Sequence, residues 1–121
     1  MFRALTRSPK FADTRFWLGL WLLIRLAWGM IVIHFVEIAV WAMFYSWQKC
    51  LPDLESAFYS SVVTYTTVGY GDLVLPKEWR LLGGVEALTG ILMCGWSTAS
   101  LFAFVSRRFT TLSKDELARR T

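Results

Sequence analysis

The sequence predicts an all-α membrane protein: two transmembrane helices with a short re-entrant helix and a loop between them. Three observations carry this. First, residues 16–47 and 80–105 are apolar runs. At ~1.5 Å of rise per residue, each is longer than a bilayer core of ~30 Å requires. Second, the helical stretch between them, 54–65, is too short to cross. Third, the cations sit at the two ends. Arg3, Arg7, Lys10 and Arg15 precede the first run, and Arg107, Arg108, Lys114, Arg119 and Arg120 follow the second. Lys49, Lys77 and Arg80 are balanced by Asp53, Glu55, Asp72 and Glu78 in the middle. By the positive-inside rule this makes a multi-pass protein of the cell membrane with both termini cytoplasmic. The bilayer is the expected partner. The net charge of +4 follows from these flanks, so no nucleic-acid surface is expected. A length of 121 residues bounds the chain to one domain. A hydrophobic content of 55% and a mean hydropathy of +0.44 are high for a soluble domain.

Taken in order, residues 1–25 read as a cytoplasmic tail and an interfacial helix. Trp17, Leu20, Trp21 and Ile24 recur at helical spacing, and Arg15 and Arg25 would snorkel to phosphates. One long tilted helix is the other arrangement that fits 16–47. The preferred span is 26–47, with Trp41, Tyr45 and Trp47 as the outer aromatic belt. The first run is too long for a cleavable signal and lacks a small-residue cleavage site, so an uncleaved anchor is expected. Pro52 marks the outer turn, and Asp53 is placed to cap the helix 54–65, with Glu55 in its first turn. Residues 73–78 return to the second span, 80–105. Its glycines and small residues suit close helix approach. Residues 106–121 read as a polar cytoplasmic tail. Ser113 and Glu116 have capping-box spacing, which predicts a short helix from Lys114. Cys50 and Cys94 fall at different depths, so no intrachain bridge is expected; free thiols are the preferred reading, and a bridge between the Cys50 residues of neighbouring copies is the other.

Residues 66–72 read Thr66-Thr67-Val68-Gly69-Tyr70-Gly71-Asp72. The string Thr-Val-Gly-Tyr-Gly is the known potassium-filter signature. The order of span, short helix, string and span resembles the prokaryotic-type, two-helix potassium channel pore domain, over roughly 26–108. The resemblance implies a pore domain over 26–105, with pore helix 54–65, selectivity filter 67–71 and inner helix 80–105. It also implies a homotetramer with the filter on the four-fold axis. Potassium would be coordinated by Thr67, Val68, Gly69, Tyr70 and Gly71, with metal sites at Thr67, Val68, Gly69 and Tyr70. The physical reason is plain. A dehydrated potassium ion needs a cage of oxygens, and one chain supplies a quarter of each ring. Carbonyls that point one way need unusual backbone angles at alternate residues, which Gly69 and Gly71 permit. Related non-selective channels carry Asp at the position of Tyr70.

In the same pattern Tyr59, Thr66 and Asp72 support the filter. The Tyr59 hydroxyl would bond Asp72; Tyr59 as an outer-belt aromatic is the other reading. Some relatives place a glutamate where this chain has Val63, so a buried carboxyl pair behind the filter is absent. Leu92, Gly95 and Ala99 would line the cavity, with Ala103 near a cytoplasmic constriction. Gly90 and Gly95 are candidates for a hinge or for helix packing. No cofactor is implied; potassium ions are the permeant species.

Ionisable residues inside spans call for a named partner. His34, Glu37 and Glu86 read either as one proton-sensitive cluster or as separate groups bonded to Ser60, Ser61 or Thr64 that fix helix register. A single histidine, no metal-ligand cluster, no phosphate loop and no nucleophile beside a base argue against an enzyme. The function read from the chain is passive, potassium-selective conduction. A weakly selective cation channel and a non-conducting regulatory subunit of a larger channel are the alternatives.

Overall fold

The structure, a computed structural model, describes residues 10–118. It contains three α-helices: α1 (Lys10–Trp47), α2 (Leu54–Tyr65) and α3 (Arg80–Ala118). No strand occurs among the described residues. Phe16–Trp47 and Arg80–Asp115 are long and apolar enough to cross a membrane. Arg3, Arg7, Arg119 and Arg120, used in the orientation argument, lie outside the described residues.

Two helix boundaries differ from expectation. α1 has no break near Leu26 and runs as one helix of 38 residues. Prolines occur only at 9, 52 and 76, so nothing within it removes a backbone donor. α3 continues past Val105 to Ala118. No glycine or proline occurs between Trp96 and the end of the helix, so the separate helix expected from Lys114 does not form. Ser113 lies inside α3 and caps nothing. Nearby, Thr110 Oγ1 and Thr111 Oγ1 donate to the carbonyls of Ser106 and Arg107 at 3.0 and 2.9 Å, which keeps these hydroxyls within the helical turn.

The chain divides into two compact units, Gly29–Ser100 and the flanking segments. In the flanking unit the Arg108 guanidinium lies across Gly19, where an added Cβ would fall 2.5 Å from Nη2. The Arg25 guanidinium stacks on Trp21 at 4.6 Å from its centroid.

In the central unit a core forms from Tyr45, Cys50, Ala57 and Leu75, flanked by Trp41, Phe44, Leu51, Trp79 and Leu82. Phe44 meets Trp79 edge to face, with centroids 5.6 Å apart, the favoured geometry for aromatic quadrupoles. The expected belt is thereby corrected. Tyr45 is wholly buried and Trp41 packs on the core, while Trp47 remains 81% exposed. Both cysteines are free, with Cys50 in the core and Cys94 exposed.

α1 and α2 end in the same way. After α1, Lys49 N donates to Ser46 O at 3.1 Å and Cys50 N to Tyr45 O at 3.0 Å. Lys49 takes φ 53°. This is a Schellman closure, which satisfies two carbonyls that the helix leaves open. Glycine is usual at the left-handed position; here a lysine occupies it.

Candidate functional site

The site begins at the start of α2. Asp53 is extended at φ −147°, and its Oδ1 accepts from Ser56 N at 2.8 Å. The hydrogen bonds from Ser56 hold the Asp53 carboxyl below the usual aspartate range. With Glu55 in the first turn, the acidic groups sit at the positive end of the helix dipole.

The end of α2 sets the conformation of the string that follows. Thr67 N donates to Thr64 O at 2.9 Å and Val68 N to Val63 O at 3.0 Å; Gly69 N adds a bond to Val63 O at 3.2 Å. The Thr66 hydroxyl donates to Val62 O at 2.7 Å. This is a second Schellman closure, with Thr67 at the left-handed position. Thr67, Gly69 and Gly71 take φ 61°, 58° and 77°. The left-handed state thus recurs at every second residue. Gly69 and Gly71 enter it freely, but for β-branched Thr67 it is a true outlier that its surroundings must impose. The glycines were legible in the sequence. Thr67 was not, although it stands one step back on the same two-residue register.

Beyond the string, Tyr59 Oη donates to Asp72 Oδ2 at 2.8 Å. This bond joins the middle of α2 to the far end of the loop. It also holds the Asp72 carboxyl below the usual aspartate range. Arg80 Nε donates to Leu75 O at 3.3 Å, and Trp79 N to Pro76 O at 2.8 Å, which close the return loop. Behind the string lies a cavity of about 320 Å³ bordered by Val63, Thr64, Asp72 and Gly83 among others. Val68 is 51% and Tyr70 72% exposed. Neither side chain is packed away within its own chain.

The intramembrane charges separate into two groups. His34 Nδ1 lies 3.0 Å from Tyr65 Oη, and His34 Nε2 lies 3.0 Å from Ser97 Oγ. Tyr65 Oη donates to Glu37 Oε2, which is 3.5 Å from His34 Nδ1. Glu86 stands apart: it is fully buried and its Oε2 accepts from Tyr45 Oη at 2.9 Å. The buried Ser61 hydroxyl interacts with the same carboxyl. Of the two readings, the single cluster of His34, Glu37 and Glu86 does not form; the two carboxyls are held separately, by Tyr65 and by Tyr45. The reason is helix polarity. Side chains tilt toward the N-terminus of their own helix. Tyr45 therefore leans down α1, while Glu86 leans back toward the start of α3, and the two meet. Glu37 leans away from Glu86. The partners missed in the sequence are the tyrosines. A buried tyrosine hydroxyl needs a partner, and that was the available signal.

Gly90 is a packing glycine. A Cβ there would fall 2.0 Å from Tyr65 O, so α3 crosses directly over the last carbonyl of α2. A Cβ on Gly95 would meet nothing within 4 Å. Leu92 is 63% exposed; Gly95, Ala99 and Ala103 are also exposed.

A family model described as an ion channel matches residues 29–107, more than half of the chain. It covers α2, the string after it and all of the central unit. The chain belongs to this family of two-helix ion channels. The family and the two apolar helices together support a membrane location. No curated protein and no solved structure matches it.

Proposed function

We propose that the chain is one subunit of a homotetrameric, potassium-selective channel that conducts passively. The observation that carries this reading is the left-handed backbone at Thr67, Gly69 and Gly71 within Thr-Val-Gly-Tyr-Gly. Alternating handedness is what a strand needs for successive carbonyls to face one axis. On a four-fold axis, the carbonyls of Thr67, Val68, Gly69 and Tyr70 and the Thr67 hydroxyl form stacked oxygen rings. Each ring replaces the water of one ion, and ions move by mutual repulsion between adjacent sites.

The rest of the site serves that strand. α2 is the re-entrant pore helix, and its carbonyl end turns the negative pole of its dipole toward a cation. Tyr59 and Asp72 anchor the outer end of the filter, and Thr66 fastens its start to α2. Leu92, Gly95, Ala99 and Ala103 line the inner cavity. The exposed faces of Val68 and Tyr70 are covered by neighbouring subunits. Both termini are cytoplasmic.

The test is ion flux from liposomes that hold the purified chain alone. Potassium efflux without sodium efflux is expected. Efflux of both ions would replace this reading with a weakly selective channel. Efflux of neither would favour a regulatory subunit.

A further inference from the structure

Tyr65 ends α2, two residues before Thr67, and it touches all three helices. Its hydroxyl lies between His34 and Glu37 of α1. Its carbonyl lies under Gly90 of α3. It is 2% exposed, and its ring lies 6.0 Å from that of His34. His34 in turn reaches Ser97 of α3. One arrangement of protons satisfies every member: Ser97 Oγ donates to Nε2, Nδ1 donates to Tyr65 Oη, and Tyr65 Oη donates to Glu37. The chain of bonds is directional, and it crosses the bundle at the level where α2 hands over to the filter.

Such a tether is not needed merely to hold α2. Its start is capped by Asp53, its middle is tied through Tyr59, and Ala57, Ser60 and Ser61 are buried along it. The tether acts at one place, the C-terminal turn. There Thr67 must be held in a backbone state that threonine resists. A side chain locked at Tyr65 fixes the turn from which the Thr67 strain is imposed.

We infer that Tyr65 is a positioning residue for the inner mouth of the filter, held through its hydroxyl by Glu37 and His34, and that this tether sets discrimination between potassium and sodium at Thr67. The inference rests on the channel reading above. Loss of the hydroxyl lets the last turn of α2 relax, and the Thr67 ring loses the fixed spacing that rejects the smaller ion.

The test compares wild type, Tyr65→Phe, Glu37→Ala, Glu37→Gln and the double variant Tyr65→Phe/Glu37→Ala in the same vesicles, as full-length chains. Potassium-to-sodium permeability ratio is the readout, and tetramer recovery is the control. Tyr65→Phe keeps the ring and the packing on Gly90. It is expected to lower the ratio about tenfold, the equivalent of one hydrogen bond. Glu37→Ala should match it, and the double variant should be no worse than either. Glu37→Gln still accepts from Tyr65 and should restore most of the ratio. Selective wild-type flux that Tyr65→Phe leaves unaltered would overturn the inference alone, as would additive losses in the double variant. Absence of selective flux in the wild type would overturn the channel reading and this inference with it.

Discussion

Thr67 carries two demands that oppose each other. Its hydroxyl is an ion ligand in the proposed filter, and its backbone is left-handed at φ 61°. An L-residue with a Cβ is disfavoured there by about 1–2 kcal/mol. Thr67→Gly is therefore expected to raise the stability of the folded chain in detergent by about 1 kcal/mol, while potassium selectivity falls because the hydroxyl is gone. Thermal melting and flux, read on the same preparation, check both halves. Lys49 offers the control, because it closes α1 with the same backbone state at φ 53° and no role in conduction. Lys49→Gly should gain a similar stability with selectivity intact. Asp72 gives a prediction in pH. Its carboxyl is held below the ordinary range by the Tyr59 hydroxyl. A depressed folded pKa contributes stability above the unfolded value, and the contribution fades as pH falls through the folded one. The Tyr59–Asp72 bond should thus persist across pH 5–8 and be lost only in stronger acid. A carboxyl-carbon NMR titration should place Asp72 lower in wild type than in Tyr59→Phe.

At the scale of elements, the helix ends and crossings decide what the site can be. α2 was readable from Asp53, Glu55 and the length of 54–65, because caps and apolar runs are local signals. The continuity of α1 across Leu26 and the length of α3 were not. The closures of α1 and α2 at Lys49 and Thr67 take a conformation that a sequence associates with glycine, so they left no compositional mark. The continuity of α3 through Ser113 was masked by a capping-box spacing, although no glycine or proline interrupts the helix there. His34 and Glu37 were correctly grouped by helical spacing. Glu86 was not, since the direction in which side chains lean outweighs depth along the helix axis. The crossing at Gly90 supplies a clean mutational contrast. Gly90→Ala puts a methyl 2.0 Å from Tyr65 O, and a backbone carbonyl has little room to retreat. The cost should be about 1–3 kcal/mol, with loss of the proposed tetramer. At Gly29 an added Cβ meets nothing within 4 Å, so Gly29→Ala should be neutral or gain up to about 1 kcal/mol of helix propensity. Melting of the two variants side by side separates packing from propensity.

At the scale of the molecule, one chain leaves much of its apolar surface uncovered. Val32, Val36, Val40 and Met43 on α1 and Val85, Leu88, Ile91 and Trp96 on α3 are each more than half exposed. In the proposed assembly lipid and neighbouring subunits share that surface, and the α3 face with Leu92, Gly95 and Ala99 turns to the water-filled cavity. The family assignment covers this central unit, and in the proposed channel the string distinguishes potassium from other cations only when several copies meet. The proposed filter residues are read from the sequence, because their types follow from ion chemistry. The tether behind them was not, because it joins residues as far apart as His34, Tyr65 and Ser97. The most direct measurement is the reversal potential of the reconstituted chain in a planar bilayer, with potassium on one side and sodium on the other at equal concentration. A potential far from zero, of the sign that marks potassium as the permeant ion, is predicted. A potential near zero in a conducting membrane would contradict the account.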